Sequence, residues 1–238
     1  VADMYKSAES FLNKNSILYA GLLQVIQRET AEILEASEEG VFLRDTVSDC
    51  FMLAADNIRL GEQWLKARGN RGYPLLLLFQ KELVRFAGAY CRLSPMMECF
   101  QAVYTKEKSP VRRGNLTIRS ADIGDFPFVS SHYGMVSAEE LTKIIRRGRL
   151  FIGFHDGKPV GFIGEHLEGS MGLLEILPGY RGKGYGTELE IFMIGHMMEK
   201  GQRPFCQIET DNSNSMRLQR KLGLTISEER MYWMEQFF

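Results

Sequence analysis

The sequence has little of several features that would assign it quickly to a class of protein. Its 238 residues include four cysteines and four histidines, and no two cysteines stand in a Cys-x-x-Cys pair. A structural zinc site or a disulfide framework needs closer and repeated spacing. We therefore expect no metal and four reduced thiols, which are typical of the cytoplasm.

The chain also lacks a charge excess and a long apolar run. Its 29 Lys and Arg residues nearly balance 30 Asp and Glu residues, for a formal net charge of −1. No basic field is present to attract nucleic acid or an anionic membrane. No stretch reaches the roughly 18 apolar residues of a membrane span, and the first residues lack the pattern of a signal peptide. We expect a cytoplasmic protein with no nucleic-acid or membrane partner, and leave a homodimer open.

A polar linker near the middle of the chain is the first positive signal. Residues 104–115, YTKEKSPVRRGN, are charged and contain Pro110 and Gly114. This composition favours a boundary between two domains, 1–108 and 116–238.

The second half is predicted to mix strands and helices. Its clearest signals are a hairpin turn at Asp156-Gly157 and a capping box at Ser137 and Glu140. Strands are predicted at 116–121, on both sides of that turn, at 170–177 and at 204–210. Helices are predicted from Ser137 through Arg147, over about 185–200 and from 212 or 213 to Leu222, before one or two closing strands.

The first half gives the order ααβββαβαβ, with helices over 2–14 and 16–29 ahead of three short strands. A helix over 57–68, a buried strand at 74–79, a helix at 81–91 and a strand at 97–104 follow. This order parallels the second half, although the residues are not similar. Two interpretations stay open: a diverged second copy of one fold, or an unrelated helical cap.

Residues 174–187, LEILPGYRGKGYGT, join a predicted strand to a predicted helix through four glycines and two cations. Glycines let the backbone approach an anion, and the first N–H groups of a helix donate to it. Lys183 is followed by glycine and not by Ser or Thr, so this is not a P-loop. Thr187 stands where a dinucleotide-binding turn has its third glycine. The segment predicts a phosphate-binding loop of another kind.

The pattern Arg181-x-x-Gly184-x-Gly186 resembles the pyrophosphate-binding loop of the GNAT N-acetyltransferase superfamily. The run from Asn212 through Ser215 to Gly223 is similar to that family's second signature. The resemblance covers about 116–238, and LPGYRGKGYG further resembles the glycine N-acyltransferase-like branch. It implies an α/β (α+β) fold with a GNAT-like mixed central sheet flanked by helices. For the N-terminal α/β half, a degenerate copy of the same fold stays one of the two open interpretations.

The resemblance implies an enzyme that moves an acetyl group from acetyl-CoA, or another acyl-CoA, to a primary amine of a small molecule or amino acid, without a metal. A non-catalytic acyl-CoA-binding or regulatory module is the alternative. The implied cofactor-binding residues lie at the end of the strand, in the glycine loop and helix start that follow, and at a second helix: Ile176, Leu177, Arg181, Gly182, Lys183, Gly184, Tyr185, Gly186, Thr187, Asn212 and Ser215. If the N-terminal half is a second copy, it lacks such a loop and is not expected to bind CoA.

The amine needs a proton acceptor, because alkyl ammonium groups have pKa values near ~10. Glu175 is one candidate, since alternation turns it away from Leu174 and Ile176. Glu168, near the end of the hairpin, is the other main candidate, while His155, Glu165 and water alone stay open. Many relatives carry a tyrosine as general acid where this chain has Gln219, and an amide cannot give up a proton usefully. The aromatic-rich stretch 125–135 is predicted to line the acceptor site or to pack in the core.

Overall fold

A computed structural model describes residues 2–68 and 72–236. Along the chain its elements are α1 (Ala2–Leu12), α2 (Ala20–Gln27), β1 (Ala31–Ser37), β2 (Gly40–Asp45), β3 (Cys50–Ala55), α3 (Ile58–Ala67), β4 (Leu75–Leu78), α4 (Lys81–Cys91), β5 (Leu93–Val103), β6 (Thr117–Ser120), α5 (Phe126–His132), α6 (Ala138–Arg146), β7 (Leu150–His155), β8 (Lys158–Glu165), β9 (Met171–Ile176), α7 (Tyr185–Glu199), β10 (Phe205–Glu209), α8 (Ser213–Leu222) and β11 (Thr225–Gln236).

The chain divides into two compact units that are not continuous in sequence. The first contains Val1–Val103, Gln207–Met216 and Thr225–Phe238, and the second contains Tyr104–Cys206 and Arg217–Leu224. The first change of unit falls at the start of the predicted linker. The domains 1–108 and 116–238 stay a prediction, because compactness does not show which segments share an origin.

The first unit is built on a mixed sheet with the strand order β1-β2-β3-β4-β11-β5. Within it β3 and β4 run parallel, and the other neighbours are antiparallel. The last strand of the chain therefore lies between two strands of the first half: Tyr232 is opposite Leu78 of β4 and Glu98 of β5. The core on one face includes Phe11, Leu22, Leu43, Met52 and Trp233, each under 6% exposed.

The second unit has the strand order β10-β9-β8-β7-β6. The turn between β7 and β8 has two residues with positive φ, Asp156 at 49° and Gly157 at 72°. This is the turn that matches the twist of a two-residue hairpin. In α6, the Ser137 hydroxyl accepts a hydrogen bond from the Glu140 N–H at 3.1 Å, as the capping box predicts. Leu141, Ile144 and Ile145 are buried along this helix, and each such burial contributes about 1.5–3 kcal/mol.

The predicted fold class is confirmed, since both units are mixed sheets flanked by helices. The helix predicted over 16–29 begins later, at Ala20, and β5 begins earlier, at Leu93. The aromatic-rich stretch contains α5, whose Val129 is buried. The closing region is one strand, and its last two residues lie outside the described part of the chain.

Within residues 2–68 and 72–236, no helix has both the length and the apolar character needed to cross a membrane. The same residues contain no group of three His, Cys, Asp or Glu side chains that could hold a metal ion. None of the four cysteines is in a disulfide, and all but Cys91 are buried.

Candidate functional site

The glycine-rich loop joins β9 to α7 in the second unit. A short 3-10 turn at Pro178–Tyr180 leads into Arg181–Gly184, which are exposed. Gly182 and Gly184 have φ values of 74° and 85°. A β-carbon at either position would meet no atom within 4 Å. Glycine is therefore favoured there by the positive φ and not by a lack of space.

The start of α7 has no side-chain cap. Gly184 is the N-cap residue, and in the described structure it gives the helix no side-chain cap hydrogen bond. The first N–H groups of the helix, at Tyr185, Gly186 and Thr187, carry the positive end of the helix dipole. Because the loop in front of them is bare and carries Lys183, the helix start is suited to a phosphate or pyrophosphate group.

Arg181 folds back onto the end of β9. Its Nε donates to the Ile176 carbonyl oxygen at 2.9 Å, and its Nη2 donates to Glu175 Oε1 at 2.7 Å. The guanidinium thus fixes the loop to the strand that enters it. One oxygen of Glu175, a predicted base, is occupied by this ion pair.

Strand β9 is irregular in its middle. Gly172 is opposite Gly164, but Glu175 is opposite Phe162, so Leu173 and Leu174 together face one residue of β8. Leu173 has a φ of 51°, which is rare for a residue other than glycine, asparagine or aspartate. These are the features of a β-bulge, and such bulges are common beside active sites.

The other edge of β9 is nearly unpaired within the second unit. In the described structure β9 pairs with β10 at Met171 and Cys206 alone. The Leu177 N–H donates to the Val160 carbonyl oxygen at 2.9 Å. Strand alternation therefore turns the N–H of Ile176 toward the free edge. This edge can accept an extended ligand as an added strand, with the Ile176 N–H as a donor.

Glu168, the second predicted base, lies in the turn between β8 and β9. It is buried, and the Ser170 hydroxyl donates to its Oε1 in a short hydrogen bond. Glu175 lies near the opposite end of β9, four residues beyond Met171, so at about 3.3 Å per residue about 13 Å of strand lies between Glu175 and the start of β9 beside Glu168. The structure therefore does not bring the two predicted bases together.

An anionic group of side chains, which includes Glu168, surrounds His166. His166 Nδ1 lies 3.9 Å from Glu140 Oε1 of α6, and Arg149 Nη1 lies 3.4 Å from Glu165 Oε1. Burial works to lower the pKa of His166, but the neighbouring carboxylates of Glu140, Glu168 and Glu165 outweigh it, so the pKa is raised. Three carboxylates with one arginine and one histidine make this turn a place where a cation is attracted.

Comparison with known proteins agrees with this geometry. Residues 116–224 match the model of the acetyltransferase (GNAT) family. This segment is a GNAT-family acetyltransferase domain. The N-alpha-acetyltransferase MAK3 of Arabidopsis thaliana is 34% identical over 90 residues, which are 34% of this chain and 47% of that protein. The match thus spans about half the length of this curated relative.

Solved structures show the same fold over nearly the whole chain. A Drosophila protein aligns with a TM-score of 0.70 at 15% identity, over 99% of this chain and 96% of that one. A GNAT acetyltransferase from Novosphingobium aromaticivorans has a TM-score of 0.57 at 14% identity, over 93% and 97%. A tandem GNAT protein from the clavulanic acid biosynthesis pathway has 0.50 at 11%, over 98% and 94%.

The remaining predicted residues of the GNAT signatures have packing roles. Asn212 Oδ1 accepts from the Ser215 N–H at 3.0 Å, so Asn212 caps α8. Both residues belong to the first unit. The Tyr185 ring contacts His155, with centroids 5.4 Å apart, and Tyr180 at 6.3 Å. These contacts hold the loop and do not by themselves show a ligand role.

The linker in front of the GNAT domain is fixed to α7 by a glutamate that the sequence did not single out. Glu188 is buried, and its Oε1 accepts from the Leu116 N–H at 2.9 Å and lies 3.6 Å from Arg112 Nη1. A β-carbon on Gly114 would lie 1.7 Å from the same carboxylate. The sequence shows that Glu188 is an acidic residue in the first turn of α7, but it does not show that Glu188 contacts the linker.

The corresponding turn of the first unit, between β3 and α3, is closed. Asn57 caps α3 by accepting from the Leu60 N–H at 3.3 Å. The Ala55 N–H donates to Gln80 Oε1 at 3.2 Å, and β3 pairs with β4 at four positions. The start of α3 is thus capped, and β3 stays paired with β4, in contrast to α7 and β9 of the second unit.

Proposed function

We propose that this protein is an N-acetyltransferase that moves an acetyl group from acetyl-CoA to a primary amine of a small molecule or amino acid. The observation that carries the proposal is the uncapped start of α7 behind a bare glycine loop. Family membership of residues 116–224 supports the reaction class. The cytoplasm stays the expected compartment, and a homodimer stays a prediction.

The residues present fit an acyl-CoA. The pyrophosphate would accept from backbone N–H groups between Arg181 and Thr187, and the pantetheine arm would lie along the free edge of β9. Lys183 adds positive charge at the loop. Acetyl-CoA would supply an activated thioester whose thiol, with a pKa of about 8.5, leaves readily as a thiolate. The protein then has to align the amine and accept one proton.

We propose Glu168 rather than Glu175 as that proton acceptor. One carboxylate oxygen of Glu175 accepts a hydrogen bond from Arg181, so this carboxylate already supports the loop. The thioester lies at the end of the pantetheine arm remote from the pyrophosphate, and Glu168 is at the remote end of β9. The surrounding carboxylates, Glu140 and Glu165, would attract a cationic amine.

A second acceptor class is favoured by one observation. The curated relative is an N-alpha-acetyltransferase. An α-amino group of a peptide is therefore the main rival to a small amine, and the same proton acceptor would serve both.

The N-terminal half is proposed to be a degenerate GNAT copy that does not bind CoA. Its order α1 α2 β1 β2 β3 α3 β4 α4 β5 repeats that of α5 to β11. The likeness to a tandem GNAT protein over nearly the whole chain supports this origin. The capped start of α3 supports the loss of binding.

The test has two stages. Calorimetric titration of acetyl-CoA should show binding in the micromolar range. Release of CoA thiol is then measured with amino acids, polyamines, aminoglycosides and short peptides with free or blocked N-termini. Turnover with free peptides alone would replace the small-molecule acceptor, and binding without any turnover would favour a non-catalytic acyl-CoA-binding module. No binding would refute the proposal.

A further inference from the structure

Glu190 and Gln219 form a buried polar pair that the proposed reaction does not use. Glu190 lies on α7 and is 5% exposed, and Gln219 lies on α8 and is 2% exposed. Gln219 Nε2 donates to Glu190 Oε1 at 2.9 Å. Both residues belong to the second unit, so this bond joins two helices of one compact body.

Each member of the pair keeps one buried atom without a hydrogen-bond partner among the described residues: Glu190 Oε2 and Gln219 Oε1. If Glu190 were ionised, both atoms would be acceptors, and a buried charge would have no cation beside it. One proton on Oε2 removes both defects, because a carboxylic acid and a primary amide can pair through two hydrogen bonds.

The surroundings favour the protonated acid. Burial raises the pKa of Glu190 to about 7, and the bond from Gln219 opposes this rise. Glu190 makes no ion pair in the described part of the chain. The titratable and charged residues of α7 itself, of the strands and the helix packed against it and of the linker bound to it are Arg112, His155, Lys158, Glu165, Glu175, Tyr185, Glu188, His196, Glu199, Arg217, Arg220 and Lys221.

The position of Glu190 matters for the start of α7. It lies four residues beyond Gly186, which at 1.5 Å per residue is about 6 Å along the helix axis. An uncompensated negative charge there would oppose the positive end of the helix. Glu188, the other buried carboxylate of this segment, is different because Arg112 and the Leu116 N–H compensate it.

We propose that Glu190 is held as a neutral acid in a two-bond pair with Gln219, and that its ionisation opposes binding of the acyl-CoA pyrophosphate at the start of α7. This inference rests on the proposed function for its second part. Glu190 acts here as a positioning residue, since it aligns α7 with α8 and keeps negative charge away from the ligand. The protonation itself can be tested without any ligand.

The test compares the wild-type chain with Glu190→Gln by calorimetric titration of CoA from pH 6 to pH 8.5. An amide at position 190 keeps two bonds to Gln219 and cannot ionise. Titration of the CoA phosphates is common to both proteins, so the ratio of their Kd values isolates Glu190. We expect the Kd of the wild type divided by the Kd of the variant to be near one at pH 6 and to rise to about 5- to 10-fold at pH 8.5. A ratio that stays constant would refute the link.

Two further measurements keep the inference independent of the proposed function. The infrared spectrum at pH 6 should contain a protonated carboxyl band that Glu190→Gln lacks, and the absence of that band would refute the neutral acid. A swap variant, Glu190→Gln with Gln219→Glu, should restore the pH dependence, and failure to do so in a folded protein would count against the pair. If neither protein binds CoA at any pH, the proposed function and the link both fail, while the infrared result still decides the protonation state.

Discussion

Substitution of Gly184 tests the anion site directly. The variants Gly184→Asp and Gly184→Asn introduce side chains of the same shape, and these differ only in charge. The φ of 85° is tolerated by asparagine and aspartate better than by other side chains, at a cost of about 1 kcal/mol. A β-carbon at this position meets no neighbour within 4 Å, so neither variant overpacks the loop. Both side chains can cap α7, and we expect both variants to fold.

The expected difference in affinity follows from Coulomb's law. A carboxylate at the N-cap and a phosphate on the same N–H groups would lie about 5 Å apart. With an effective dielectric constant of about 40–80, two phosphate charges cost about 2–3 kcal/mol, which is roughly a 30- to 150-fold loss of affinity. Gly184→Asp should bind acetyl-CoA that much more weakly than Gly184→Asn.

The assay is calorimetric titration of acetyl-CoA into both variants at low and high salt, with circular dichroism and thermal unfolding as checks of folding. The gap between the variants should narrow at 1 M salt, where the Debye length is about 3 Å. Equal Kd values for two folded variants would show that the pyrophosphate does not bind at the start of α7, and the site would have to be reassigned.

Three further predictions concern other residues. Glu190→Gln should raise the free energy of unfolding by about 3 kcal/mol at pH 8. The pKa of Glu190 is about 7 in the folded protein against 4.5 in the unfolded chain, so the wild type loses stability as the pH rises through this range. In urea unfolding, the difference between variant and wild type should vanish below pH 4.5. Gly114→Ala should lower the free energy of unfolding by about 2 kcal/mol, since its β-carbon would displace the Glu188 carboxylate; an unchanged urea midpoint would contradict this. Glu168→Gln should lower kcat by about 10²- to 10⁴-fold, whereas Glu175→Gln should mainly raise the KM for acetyl-CoA; the reverse pattern would make Glu175 the base.

Local patterns predicted most of the individual elements. The bounds of α4 are those predicted, because its turns and apolar spacing lie within one short segment. The glycine loop was also predictable from the sequence, because Gly182 and Gly184 have positive φ, and glycine is the residue that adopts positive φ most readily. The hairpin at Asp156-Gly157 belongs to the same class of signal. Each of these features is specified by residues close together in the chain.

Features that depend on distant partners were not predicted. The bond between Glu190 and Gln219 joins two helices, and nothing in either helix alone identifies the other residue. The ion pair of Glu175 with Arg181 changes how a predicted base is interpreted, although both residues were singled out. Helix α5 was also difficult, because Pro127 and the aromatic residues give no clear helical period; its start follows a reciprocal cap between Asp122 and Asp125.

The position of β11 between β4 and β5 has a consequence for how this protein is made. β4 and β5 are complete when the ribosome has passed Val103, but the strand that separates them begins at Thr225. Until then the nascent first half exposes an unpaired edge on β4, whose four residues are all leucine, and another on β5, and such edges are prone to wrong pairing. Synthesis of the first half alone should therefore yield an aggregation-prone fragment, and a peptide spanning β11 added in trans should improve its solubility. The last strand thus makes folding of the first half wait for translation of nearly the whole sequence.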